Sequence, residues 1–258
     1  MEYFVENFQI FLLVLVRMLS MFVVAPFFSS GTVPLRVRAA MAAFITVCIF
    51  PMVANYFGSV PENMFSYAML IGSEAIIGLL IGFMVSIIFA AFQLAARFFS
   101  FQMALGIAEV VDPFSEVGIT IVGQLWTLMG LMVFIAIDGP HMLVMAVFDS
   151  YKKVQLFNIV QHGQTMFTAL VSSFGAMFLV AMKLAFPILI TLFLLSVTLG
   201  LLAKAAPQMN IFMVGFPIQI SVGFIIMIAV IGAIAFGMSN ALDNTFKHVS
   251  RFVGALGG

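Results

Sequence analysis

Five ionisable side chains stand within or at the edge of long apolar stretches: Arg17, Glu74, Arg97, Asp138 and Lys183. Each costs roughly a few kcal/mol or more at a bilayer centre unless it is paired or faces water. The patterns of familiar catalysts are missing. No GxxxxGK[ST] loop is present to cradle a nucleotide, and no HExxH or CxxC pair to hold a metal. No GxSxG elbow appears either. His141, His162 and His248 lie far apart without ligand partners at helical spacing, which suits interfacial polar residues better than catalysts. No cofactor, metal or enzymatic activity is expected.

The elements that must hold these charges are set by composition. Of 258 residues 64% are hydrophobic and 8% charged, against roughly 25% charged in an average soluble domain. So few charges cannot cover a water-facing surface, so lipid or other apolar subunits must cover it. Formal net charge is +0, which leaves no basic field for nucleic acid. Cys48 is the one cysteine; it excludes an intrachain disulfide and, set in an apolar run, is expected to be buried and inert. Glu2 and Glu6 stand where a signal peptide would carry positive charge. The long apolar stretch after them is therefore expected to be a retained membrane segment.

Stretches free of Asp, Glu, Lys and Arg cover 18–35, 39–61, 75–96, 117–137, 184–203 and 205–242. A helix needs about 20 mostly apolar residues to cross a bilayer, because lipid cannot satisfy an open backbone. That requirement predicts helices near 8–28, 38–57, 66–100, 119–148, 165–203 and 211–246. The alternation over about ten residues that marks a transmembrane strand is absent. The expected fold is an all-α integral membrane protein of about six long apolar helices in kinked hairpins, forming one membrane domain. Turn chemistry separates the helices at Ser29 to Pro34, Asn55 to Glu62, Asp112-Pro113, Tyr151 to Gln164 and Ala206-Pro207-Gln208. Pro26, Pro51 and Pro187 fall inside or at the ends of apolar runs, where each removes a backbone donor. A short polytopic chain carrying such prolines and interior charges is expected to pack against partner proteins over much of its surface.

Two ladders of small residues support close helix approach. Glu74, Gly78, Gly82 and Ser86 share one face, as do Ala229, Ala233, Gly237 and Ala241. Packing within the chain and a seam between subunits both fit them. The 31 Phe and 20 Met are mostly core filler, although flexible, polarizable Met can also seal around a variable object.

Three loop regions carry a family pattern. The first is Arg17, then Ala25-Pro26-Phe27-Phe28 and Val33-Pro34-Leu35-Arg36-Val37-Arg38. The second is Phe101-Gln102-Met103-Ala104-Leu105-Gly106 running into Asp112-Pro113. The third and most specific runs from Gly200 through Lys204, Pro207, Gln208 and Asn210 to Gly215-Phe216-Pro217. Asp138-Gly139-Pro140-His141 and Asp149-Ser150-Tyr151 match more loosely, since the proline expected after Tyr151 is absent. Together these motifs, spread over nearly the whole chain, resemble the FliR family of the flagellar export apparatus, whose relatives serve in virulence type III secretion.

The resemblance implies a membrane subunit of the export gate in the bacterial inner membrane. One copy would join several copies of each of two sister subunits, with residues 1–164 resembling one sister and the hairpin 165–258 the other. An export-switch membrane protein would wrap the cytoplasmic base, and unfolded flagellar proteins would pass through. By the same resemblance Phe101, Met103, Leu105, Gly106, Ile107, Asp112, Pro113 and Phe114 would belong to a plug that closes the pore. Gly106 and Asp112-Pro113 suit an irregular backbone, tolerable at membrane depth only inside protein or water. An exposed connecting loop is the plainer alternative there. Lys204, Pro207, Gln208 and Asn210 would form a hairpin tip at the cytoplasmic base, where a generic turn is the alternative. Arg17, Glu74, Arg97, Asp138 and Lys183 would be assembly or lumen charges. Read without the resemblance, interrupted helices with Glu74, Asp138 and Lys183 also fit a small-solute secondary transporter, and a membrane scaffold without a pore stays open.

Overall fold

In a computed structural model the protein is described over residues 2–28, 33–57, 61, 63–105, 121–153, 163–208 and 210–256. Among these residues the regular structure is helical. The α-helices are α1 (Glu2–Val24), α2 (Leu35–Val53), α3 (Met64–Gln102), α4 (Ile121–Ala136), α5 (Gly139–Lys153), α6 (Gly163–Ala205) and α7 (Ile211–Leu256). A short 3-10 turn, Ala54–Tyr56, follows α2. Among the described residues five helical segments are long and apolar enough to cross a membrane, and the broken pair α4–α5 counts as a sixth if taken as one span. The all-α membrane fold expected from composition is the observed one.

Helix boundaries follow local chemistry. α1 stops at Val24 rather than near residue 28, because Pro26 has no N–H and disfavours helical geometry in the residue before it. The single helix expected over 119–148 is broken. Asp138 adopts φ 58, its N–H donates to the Ile135 carbonyl at 3.0 Å, and its own carbonyl accepts from the Met142 N–H at 3.0 Å. It thus closes α4 and opens α5, where Pro140 sits in the first turn and forfeits no helical bond. Pro187 and Pro217 lie inside α6 and α7, and the hydroxyls of Thr191 and Ser221 donate to their carbonyls at 2.9 and 2.8 Å.

The chain forms two compact units. The first comprises Met1–Ile87, Ile135–Phe174 and Leu242–Gly258. Within it α1 packs on α3 through the small-residue ladder: a Cβ on Gly78 would collide with the Arg17 carbonyl and the Ser20 Oγ, and one on Gly82 would lie 2.8 Å from the Met21 carbonyl. That ladder therefore serves contact within the chain. Leu13, Met18, Phe22, Leu70, Ile77 and Ile81 of the same two helices are buried.

The second unit comprises Ile88–Phe134 and Gly175–Ala241. Here Phe99 lies against Trp126 and Phe89 against Phe134, with ring centroids 4.9 and 5.7 Å apart. α6 and α7 form an antiparallel hairpin. Gly215 approaches Leu199, Gln219 Nε2 donates to Ser196 Oγ at 3.3 Å, and Gly237 approaches Leu184. In the second ladder Ala241 is buried while Ala229 and Ala233 are exposed.

Burial is uneven along the spans. Of the most apolar windows, 61% is buried in α3, 28% in α6 and 11% in α7. Cys48, expected to be buried, is exposed on α2, where Ala42, Thr46 and Val53 are the buried positions. An apolar run in a membrane chain meets lipid or another protein as readily as its own core, so apolarity does not place a residue inside.

Candidate functional site

A buried polar cluster lies in the first unit. The Arg17 guanidinium donates through Nε and Nη2 to the two carboxylate oxygens of Glu74, at 2.5 and 2.7 Å. Nη1 donates to Ser150 Oγ at 2.7 Å, and that hydroxyl donates onward to the Val147 carbonyl. The guanidinium carbon lies 4.1 Å from the ring centroid of Tyr151, a cation–π stack. Tyr151 in turn donates its hydroxyl to the Val14 carbonyl at 3.1 Å. Arg17 and Glu74 are 1% and 0% exposed, so their charges are removed from both water and lipid.

Three helices are tied here: α1 by Arg17 and Val14, α3 by Glu74, and α5 by Ser150 and Tyr151. Two parallel N–H···O bonds fix both the distance and the plane of the pair. Both oxygens of Glu74 are engaged by a fixed cation, so this carboxylate holds helices rather than receives a substrate. Arg17 and Glu74, expected as charges for assembly or a lumen, are each other's partner within the chain.

The remaining charges of that group are presented outward: Arg97, Asp138 and Lys183 are all exposed. Lys183 sits near the middle of α6, inside an apolar stretch of 40 residues. At a bilayer centre such a cation costs roughly 2.5–3.5 kcal/mol on insertion scales.

The second unit holds the approach to the segment expected to close a pore. α3 ends in a Schellman turn: the Leu105 N–H donates to the Ser100 carbonyl and the Ala104 N–H to the Phe101 carbonyl, both at 3.1 Å. Ala104 carries φ 63, the left-handed position that glycine usually takes. Two contacts anchor this turn. With its amide turned to the orientation that satisfies both neighbours, the Gln102 carboxamide donates to the Leu189 carbonyl at 3.3 Å and accepts from the Phe193 N–H at 3.2 Å, entering the backbone ladder of α6. Met103 is fully buried against Gly223 of α7, where a Cβ would come within 2.6 Å of its Cε.

Of the residues expected in the plug, Phe101 is exposed, Met103 buried and Leu105 half-buried. Gly106, Ile107, Asp112, Pro113 and Phe114 lie outside the described residues. At the expected hairpin tip Lys204, Pro207, Gln208 and Asn210 are all exposed. Asn210 caps α7: its Oδ1 and carbonyl both accept from the Met213 N–H, at 3.4 and 3.1 Å. Ser150, Tyr151 and Gln102 stand in the loop motifs of the sequence, but no role was expected of their side chains. The available signal was a polar side chain inside or at the end of an apolar helix, which needs a hydrogen-bond partner once buried.

Residues 8–245 match the family described as Bacterial export proteins, family 1. The chain is 30% identical over 260 residues to the flagellar biosynthetic protein FliR of Bacillus subtilis (strain 168), covering 100% of this chain and 99% of that one. It is also 30% identical over 243 residues to FliR of Escherichia coli (strain K12), covering 94% and 92% of the two chains. Against FliR of Borreliella burgdorferi the identity is 31% over 194 residues, 74% of this chain and 72% of the other.

Proposed function

The chain belongs to the bacterial export proteins, family 1, and from that premise we propose that it is a membrane subunit of the flagellar protein export gate. The observation that carries this is likeness to flagellar biosynthetic FliR proteins along essentially the full chain. In this reading the protein sits in the bacterial inner membrane as a multi-pass subunit. It assembles with two sister membrane subunits and meets an export-switch membrane protein at the cytoplasmic base, near Lys204, Pro207, Gln208 and Asn210. Unfolded flagellar proteins pass through the assembly, driven by other components.

The residues from Phe101 to Phe114 form the closure. Support comes from the beginning of that segment, where Gln102 and Met103 are anchored on α6 and α7. A closing element needs such a fixed root, so that opening displaces only the part beyond it. The expected mechanism is a shift between closed and open populations rather than chemistry on a substrate. The α1–α3–α5 cluster around Arg17 and Glu74 supplies a rigid frame.

Pull-down of the tagged chain from detergent-solubilised bacterial membranes, with mass spectrometry of what stays bound, tests the proposal. Recovery of a large complex containing the sister gate subunits is expected. A homo-oligomer free of them, from a strain that makes them, overturns it and favours a small-solute carrier.

A further inference from the structure

The exposed face of α6 is too apolar for water and too charged for lipid. Leu179, Phe186, Ile190, Phe193, Val197 and Leu201 are exposed and recur at spacings of seven, four, three, four and four, so they lie in one stripe. Lys183 is exposed in the same stripe, four residues after Leu179 and three before Phe186. At 1.5 Å per residue the stripe is about 33 Å long. Lys183 makes no ion pair with a described residue.

Lipid contact fails on the ammonium, which hydrocarbon cannot solvate. Sliding the bilayer along α6 until Lys183 reaches a headgroup layer does not help. The helix is about 65 Å long at 1.5 Å per residue, so one half would then leave exposed Phe and Leu in water. A water-filled path fails on the rest of the stripe, which offers water six large apolar side chains and one polar group. What suits both features is a protein surface that is apolar along its length and carries one anion. A second copy of this face does not provide it, because residues 163–242 contain no Asp or Glu and would set Lys183 against lysine.

We propose that this stripe is an interface for an apolar helix of a different polypeptide, which places one Asp or Glu carboxylate against the Lys183 ammonium. The inference deepens the export-gate reading and rests on it for the existence of neighbouring subunits. A desolvated pair of this kind sets register, since sliding either helix by one turn buries both charges without a partner.

The test uses the full chain in a strain that makes the whole apparatus. A photo-reactive phenylalanine analogue replaces Phe186, next to Lys183 and close to it in shape. Illumination is expected to join the chain to another membrane polypeptide of the apparatus. An adduct confined to this chain or to a second copy of it overturns the proposal, as does the absence of any protein adduct. In parallel, Lys183→Glu is expected to lower recovery of that polypeptide at least tenfold, Lys183→Arg to retain it, and an Asp or Glu to Lys change in the neighbour to restore it. Unchanged recovery with a normal level of Lys183→Glu chain overturns the pairing. If that variant does not accumulate, the Phe186 adduct decides. Failure of the unsubstituted chain to recover any apparatus subunit sinks the export-gate reading itself. Recovery without an adduct at Phe186 sinks only the interface.

Discussion

Arg17 and Glu74, 57 positions apart in sequence, meet in a two-point ion pair with neither side chain exposed to solvent. The pair fixes α1 against α3, and its geometry is completed from α5 by Ser150 and Tyr151. Its worth lies in specificity, because a buried pair is often no more stabilising than apolar residues of the same volume. Removing one partner is a different matter, since it strands the other charge.

A double-mutant cycle on the purified chain in detergent measures this. Arg17→Met and Glu74→Leu are each expected to destabilise by about 3–5 kcal/mol. The double substitution is expected to cost less than either one. Additive losses would show that the two charges are not coupled.

The two glycine environments predict opposite signs. Gly78→Ala places a methyl against the backbone of Arg17, which cannot retreat without moving α1, and is expected to destabilise by about 1–3 kcal/mol. Gly232 has nothing within 4 Å of a new Cβ, so Gly232→Ala gains helix propensity and stabilises by up to about 1 kcal/mol. Thermal unfolding of the two variants checks the contrast, and equal effects would refute the α1–α3 contact.

At the end of α3, Ala104 holds a left-handed conformation that costs an L-residue roughly 1–2 kcal/mol. Ala104→Gly is expected to raise the unfolding midpoint and Ala104→Val to lower it. The reverse order would mean that α3 does not end in this turn.

In the amide orientation that satisfies both neighbours, Gln102 links the same turn to α6 through two hydrogen bonds. Gln102→Leu removes both and is expected to cost about 1–3 kcal/mol. Hydrogen exchange should rise in the α6 peptide containing Phe193. Unchanged protection there would remove Gln102 from its anchoring role.

In the assembled apparatus, deletion of residues 106–116 is expected to raise ion leak across the membrane while complex assembly persists. An unchanged leak in an intact complex would rule out closure by that segment.

The sequence by itself determined the class of the protein. Scarce charge and apolar stretches of about 20 residues leave only membrane helices, since lipid offers the backbone no hydrogen bonds. Local signals also placed boundaries, as at Pro34 before α2 and Pro207 between α6 and α7, because prolines act on their own neighbours. Loop motifs carried the family. The tertiary structure decided which charges are internal: Arg17 and Lys183 are both basic residues in apolar runs, yet one is sealed against Glu74 and the other is exposed. The same holds for Cys48 and for the ladder at Gly78, whose burial or exposure no local pattern announces. In a water-soluble chain, apolarity marks the inside, because water expels it. Here lipid, partner and core are all apolar, so that contrast vanishes, and only the packing of one helix on another tells them apart.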